Sequence, residues 1–396
     1  MAFESIPPQI PPQILLPALL RIGGGAVTAL PEVLRQLGVE RPLLITDPAM
    51  VEFGHAERVR ALLAEAGLPV TVFAETEQEP SSASIDRGVG AWRGGRFDGM
   101  VALGGGSAID SAKAIGVLAH LGGRMRDYAV PNDVDRSGIP LVAIPTTAGT
   151  GSECTRFTVI TDSDTDEKML CRGAAFLPTA AIVDFEFTLT APRRLTADTG
   201  IDALTHALEA FVSRRASPFT DDLALAAMAH LARNLERVCS DPADREARAG
   251  MMLGATQAGM AFSNASVCLV HGMSRPIGAL FHVPHGLSNA MLLPAVTRFS
   301  VPAAEGRYAL CARTMGLSTS LDDAEAAADL VSGLTALNAR LEVPGPAAFG
   351  IARDRWFANL ERMAEQAEAS GSPANNPRIA SREEMVALYT EIWGNR

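Results

Sequence analysis

Asp202 and His206 stand four apart in GIDALTHALEA. On a helix, positions i and i+4 share a face, so a carboxylate and an imidazole would converge on one point. His271 and His285 bracket the segment HGMSRPIGALFHVPH, and five of the seven histidines lie between 206 and 285. A cluster is expected there. Three imidazoles and one carboxylate suit a first-row divalent ion, Fe2+ or Zn2+. A lone histidine is more often a packed or surface residue than a ligand. His55, His120 and His230 are read that way, while His282, three residues before His285, stays open.

A second set of residues suggests a dinucleotide. In GMVALGGGSAIDSAKAIG (99–116) an apolar strand runs into Gly104-Gly105-Gly106, and Ser107 reads as the N-cap of the helix that follows. Glycines let backbone approach a pyrophosphate, whose charge then meets the free N–H groups of a helix start. A glycine triplet alone is weak, since Gly23-Gly24-Gly25 is another; the strand–glycine–helix context carries the reading. Asp47 follows the strand PLLIT. An acid there can bond ribose hydroxyls and repel a 2′-phosphate, favouring NAD over NADP. By itself Asp47 in TDPAM is equally a turn former or helix cap. The loop PTTAGTGSE (145–153) adds backbone N–H groups and the hydroxyls of Thr146, Thr147 and Thr150.

The elements that must hold these residues fall into two textures. Pro42–Thr46, Val70–Phe73, Gly99–Leu103 and Leu141–Pro145 read as short buried strands. They alternate with helical stretches at Met50–Ala66, Ser82–Trp92 and Ser107–Leu118, which indicates βαβ units on a parallel sheet. Their lack of period-2 alternation fits a sheet covered on both faces. After about residue 190, segments such as Ile201–Val212, Asp221–Val238 and Ala247–Ala261 are rich in Ala, Leu and Met and read as helices, as do Asp322–Leu337 and Ser381–Trp393. APRRL (191–195) reads as a hinge, giving an α/β domain at 1–190 and an all-α domain at 191–396.

Composition bounds the function. At about 150 residues per domain, 396 residues suggest two or three domains. With 47% hydrophobic and 20% charged residues, the chain is neither disordered nor fibrous. A net charge of −11 makes nucleic acid and anionic membrane poor partners. Five scattered cysteines without a CxxC fit a reducing cytoplasm rather than a disulfide scaffold. No apolar run approaches a membrane span, and MAFESIPPQIPPQ lacks the marks of a secretory signal, so a cytoplasmic location is expected.

These residues resemble the iron-containing (group III) alcohol dehydrogenase family. The resemblance runs in order through LLITD (43–47), GGGSAIDSAKA (104–114), PTTAGTGSE (145–153), GIDALTHALEA (200–210), AFSNAS (261–266), PHGLSNAMLLP (284–294) and NPR (376–378). It implies an α/β N-terminal dinucleotide-binding domain plus an all-helical C-terminal metal-binding domain, the fold shared with dehydroquinate synthases. The family's metal ligands fall on Asp202, His206, His271 and His285. Its NAD contacts fall on Asp47, Gly105, Gly106, Ser107, Asp110, Thr146, Thr147 and Lys168. The implied chemistry is reversible oxidation of a small alcohol to its aldehyde or ketone, with the metal as Lewis acid and hydride passing to NAD. A homodimer or higher homo-oligomer is the default.

Two positions depart from the family. Where HAMAH or HGMAH is usual, this chain has HGMSR, so Arg275 replaces a histidine often assigned to proton transfer. Arginine stays protonated but binds carboxylates, phosphonates or sulfonates well. Arg275 is therefore expected either to anchor an acid-bearing substrate or to pair with a neighbouring carboxylate. The alcohol proton would then leave by water, a ribose hydroxyl or His282. An Asn common after the second strand is replaced, most simply by Glu79. The rival readings are a phosphate-eliminating lyase like dehydroquinate synthase, which needs more basic residues than Arg275, Arg214 and Arg215, a metal-free enzyme like maleylacetate reductase, and a non-catalytic NAD-binding regulator. An intact Asp/His/His/His set argues against the last two.

Overall fold

The computed structural model describes residues 13–135 and 138–394, which cluster into two units. The first is Leu15–Pro192 together with Ala243–Gly259. Among its described residues, six parallel strands form a sheet in the order β1-β8-β5-β4-β2-β3. They are β1 (Leu19–Ile22), β2 (Pro42–Ile45), β3 (Thr71–Phe73), β4 (Gly99–Gly104), β5 (Leu141–Pro145) and β8 (Ala180–Val183); β6 (Phe157–Thr161) and β7 (Lys168–Arg172) make a separate antiparallel pair. β2, β4, β5 and β8 are buried at every position. Alternate residues serve different cores. Leu43, Ile45, Met100 and Ala102 pack with Ile85, Ile109 and Ile115 on one face, and Leu44, Val101 and Leu103 with Leu34, Val59 and Leu63 on the other. Those partners come from α1 (Leu30–Gln36) and α3 (His55–Glu65) on one side, and from α4 (Ser82–Arg93) and α5 (Gly106–Leu121) on the other.

β3 lies on one side of β2 and β4 on the other, so the strand order reverses between β2 and β4. Ligands of open α/β sheets bind beyond the carboxyl ends of strands at such a reversal. Asp47 and Gly104–Gly106 follow those two ends.

The structure corrects several local readings. The single helix expected over Met50–Ala66 is two, α2 (Pro48–Glu52) and α3, separated at Gly54, whose φ of +76° suits glycine. α5 is capped by Gly105, two residues earlier than Ser107; Ser107 lies inside the helix and its hydroxyl donates to the Gln78 carbonyl. β1, β8 and the β6–β7 pair add to the strands expected from the sequence, and β6 and β7 bury alternate residues.

The second unit is Arg193–Pro242 together with Met260 onward. It contains α6 (Arg193–Val212), α7 (Pro218–Ser240), α9 (Leu269–Phe281), α10 (His285–Ser300), α11 (Glu305–Thr314), α12 (Asp323–Arg340), α13 (Arg353–Phe357), α14 (Leu360–Ala369) and α15 (Arg382–Trp393). α8 (Arg245–Ala265) is divided, its residues 245–259 falling with the first unit. One cut near residue 190 does not describe this. The reason is local: Gly259 lies against Gly151 so closely that a Cβ on either would meet the other's backbone, and Thr256 donates to Glu153 at 2.8 Å. Among the described residues no helix is long and apolar enough to cross a membrane.

Candidate nucleotide loop and metal centre

In the first unit the glycine turn is built by close approach. At Gly104, φ +151°, a Cβ would lie 2.7 Å from Ala108 and 3.1 Å from Asp47 Oδ2. A Cβ on Gly106 would lie 2.8 Å from the Thr150 side chain, and one on Gly105 3.5 Å from Thr147. The Thr146 N–H donates to the Gly104 carbonyl at 3.0 Å. The glycine turn, Asp47 and the hydroxyl loop are thus one assembly. Asp47 also caps α2, accepting from Met50 N at 3.0 Å.

Asp110 spends both oxygens inside the protein, one on Ser152 Oγ and one on Val159 N. Burial raises its pKa, with Lys113 and these donors opposing. Lys168, on β7, pairs with Glu79 at 3.0 Å. The sequence reading missed Lys113, which is buried and donates to Ser152 Oγ (2.8 Å), Thr155 Oγ1 (3.0 Å) and the Phe157 carbonyl (2.8 Å). It stitches α5 to the 145–153 loop, and burial depresses its ammonium pKa to about 8. A lysine inside the apolar run AIDSAKAIG was the available signal.

In the second unit α6 is buried almost all round from Thr196 to Val212. A helix so enclosed should carry apolar residues, yet it buries Asp198, Asp202, His206 and Glu209. Charged groups in such a place need partners. Asp202 and His206 share one face. His271 comes from α9, and His285 opens α10. Gly286 makes that entry possible: a Cβ there would lie 2.3 Å from the Asp198 carbonyl oxygen. The result gathers one ligand atom from each of Asp202, His206, His271 and His285 within 4.8 Å of one another. The Nε2 atoms of His271, His285 and His206 lie 3.4, 3.7 and 3.9 Å from Asp202 Oδ1. His206 stacks between Phe262 and His271, at 4.1 and 4.4 Å. His285 is about half exposed, 47% by side chain, and marks the open side.

Burial opposes the Asp202 carboxylate, but the three imidazoles outweigh it and hold the carboxyl well below the usual range. Burial likewise disfavours a charged His271, but Asp202 and Glu209 lift it to about 9. Asn289, one turn after His285, points Nδ2 at Asp202 Oδ1 (2.7 Å), His271 Nε2 (3.1 Å) and His285 Nε2 (3.3 Å). With His271 neutral, an amide has two protons for these three acceptors, and its own Oδ1 is buried without a hydrogen bond among the described residues. Acceptors crowded in this way, with an orphaned oxygen beside them, fit a divalent cation.

Arg275 and His282 differ. Arg275 stands one turn after His271 on α9, is partly buried, and makes no ion pair or hydrogen bond among the described residues. Burial lowers its pKa and the Glu209 charge opposes this. His282 is not brought into the cluster. It is exposed and ends α9 in a left-handed conformation, φ +56°.

Fold and donor sets together define a two-unit class, with a nucleotide-type turn in the α/β unit and a metal-type cluster in the helical unit. Residues 17–185 match the family described as iron-containing alcohol dehydrogenase, and 196–393 match the Fe-containing alcohol dehydrogenase family, C-terminal. The chain belongs to the iron-containing alcohol dehydrogenase family and is an oxidoreductase acting on CH–OH groups. It is 36% identical over 375 residues to the NAD-dependent methanol dehydrogenase of Bacillus methanolicus, covering 94% of this chain and 97% of the relative. The solved structure of a 1,3-propanediol oxidoreductase matches with a TM-score of 0.93 at 34% identity, covering 96% of this chain and 99% of that one. The sulfoacetaldehyde reductase of Bifidobacterium kashiwanohense in complex with NAD+ matches with a TM-score of 0.87 at 26% identity, covering 98% and 100%.

Proposed function

We propose that this chain interconverts a small alcohol and its aldehyde or ketone with NAD(H) and a divalent metal, Fe2+ or Zn2+, and that Arg275 selects a substrate bearing an acid group. The convergence of Asp202, His206, His271 and His285 carries the first part. When bound, such a cation would supply Lewis-acid assistance at the substrate oxygen, and the nicotinamide would supply or take up the hydride. The chain's own residues do the rest. Gly104, Gly105, Gly106 and Ser107 present backbone to the dinucleotide, with Thr146, Thr147 and Thr150 facing them; Asp47 receives a ribose, and Asp110 and Lys168 brace the surrounding loops. Arg275 cannot accept the alcohol proton at neutral pH, which leaves water, a ribose hydroxyl or His282, at the end of the helix that carries His271.

The acid-bearing substrate rests on the Arg275 guanidinium, which has no ion-pair partner among the described residues. A charge so placed is better satisfied by a ligand carboxylate, phosphonate or sulfonate than by nothing. Sulfoacetaldehyde, named for one of the similar structures, is an aldehyde of that kind; methanol, named for a relative, is not. The rival lyase lacks support, since Arg214 and Arg215 are exposed in the turn after α6. The cysteines at 154, 171, 239, 268 and 311 are buried and form no disulfide among the described residues, which agrees with a reducing cytoplasm.

The test is NADH oxidation by Fe2+- or Zn2+-loaded protein with paired aldehydes of equal length, one neutral and one ending in a carboxylate. A clear kcat/KM preference for the charged member is expected, and Arg275→Ala should raise KM for that member alone. Equal or better use of the neutral member removes the anchor and leaves a general alcohol dehydrogenase. Turnover of neither with either metal removes the hydride-transfer reading.

A further inference from the structure

The metal cluster has a neighbour that neither motif spacing nor substrate chemistry calls for. Glu209 lies on α6 three residues after His206 and seven after Asp202, and is 2% exposed. Its Oε2 accepts from the Cys268 N–H at 2.9 Å and sits 2.6 Å from His271 Nδ1; its Oε1 accepts from the Val270 N–H at 2.6 Å. Cys268 is the N-cap of α9 and makes no capping bond with its own side chain. The free N–H groups at that helix start are therefore met by a carboxylate borrowed from α6.

We propose that Glu209 is the positioning residue of the metal centre: it holds His271 in the tautomer with Nδ1–H donating to the carboxylate, so that Nε2 presents its lone pair to the ion. The proposal rests on the metal-centre reading above. Nδ1 faces a group that, ionised, can only accept, so the proton belongs on Nδ1. Nε2 is then the ring atom 3.4 Å from Asp202 Oδ1, within the cluster of four. The same carboxylate fixes the start of α9, so it sets both the protonation and the location of the ligand. Outer partners of this kind typically carry a factor of about 10–100 in metal affinity.

The isosteric variant Glu209→Gln tests this. Glutamine offers one acceptor oxygen and one NH2 to the three donors, so one donor must face another. With the two N–H groups fixed in backbone, His271 is the one that can yield, by moving its proton to Nε2 or by turning its ring. The full-length protein, stripped by chelator, is titrated with Zn2+ in competition with a chromophoric chelator and with Co2+ by absorption. Ser213→Ala, which removes a buried hydrogen bond to the Ala265 carbonyl just beyond α6, is the control for general loosening. Glu209→Gln is expected to bind Zn2+ about 10–100-fold more weakly and to alter the Co2+ spectrum, with Ser213→Ala like wild type. Wild-type affinity and spectrum in Glu209→Gln, even with a lowered Tm, would reduce Glu209 to a helix cap and overturn the proposal. Equal losses in both variants would overturn it as well. Failure of the wild type itself to bind either ion overturns the metal-centre reading, and is told apart because no variant enters that comparison.

Discussion

The turn after β4 and the cluster on α6, α9 and α10 are built in opposite ways. At the turn the working surface is backbone, and the side chains around it are spent on one another: Asp110 on Ser152 and Val159, Lys113 on Ser152, Thr155 and Phe157, and Lys168 on Glu79. At the cluster the working surface is side chain. Three imidazoles and a carboxylate point at one place, and the buried groups behind them, Glu209 and Asn289, point the same way. A site for a bulky anionic ligand needs shape and N–H groups, which glycine and hydroxyl residues supply. A site for a small cation needs lone pairs at fixed distances, which only constrained side chains supply.

The contrast predicts separable failures. The largest belongs to Asp202→Asn, which removes the one carboxylate of the cluster: if the cluster holds the proposed cation, kcat/KM should fall about a thousandfold, the several kcal/mol that Lewis-acid assistance is worth. NAD affinity, measured by fluorescence titration, should hardly move; a parallel loss would mean that the two sites are not separable.

Next is Lys113→Met. The Lys113 Nζ lies 3.8 Å from Asp110 Oδ1, and breaking a buried charge pair costs about 3 kcal/mol or more. Tm and NAD affinity should both drop while Zn2+ affinity stays. The pH dependence sharpens this. Folding lowers the Lys113 pKa from 10.5 to about 8, so between those values the unfolded chain binds more protons and the Lys113 contribution to stability rises with pH. Chemical denaturation should find the wild type gaining on Lys113→Met from pH 8 towards 10.5.

Gly286→Ala comes third. The added Cβ has 2.3 Å to the Asp198 carbonyl, so α10 must back away from α6, at a cost of about 1–3 kcal/mol. Because His285 adjoins it, Zn2+ affinity should weaken more than NAD affinity. The smallest effect is expected of His282→Gly. Glycine suits the left-handed helix end, so Tm should hold or rise slightly. A large fall in kcat at unchanged Tm would instead restore His282 as the relay.

Much of this was readable before any coordinates. The α/β half was legible from buried runs alternating with helical ones, and the four side chains that converge were legible from a period-3.6 pair and two nearby histidines. Both are short-range signals. Glu209 was half legible: a carboxylate on the same face as Asp202 and His206, in an otherwise Ala- and Leu-rich helix. Asn289 likewise stands one turn after His285. Their targets were not, because Glu209 meets residues 59 to 62 positions away, and no periodicity reports such a distance. Ser107 was misread as a cap because serine at a helix start is the better bet, whereas glycine in extended backbone occupies that place here.

Sequence alone determined which residues are available and which elements carry them, since propensity, periodicity and capping act within a few residues. Tertiary structure decided how those elements approach. Contacts such as Gly286 on Asp198, Gly259 on Gly151 and Glu209 on the start of α9 are made between segments far apart in the chain. There the outcome depends on whether two backbones can close to van der Waals distance, and on which buried donors are left to be met when they do.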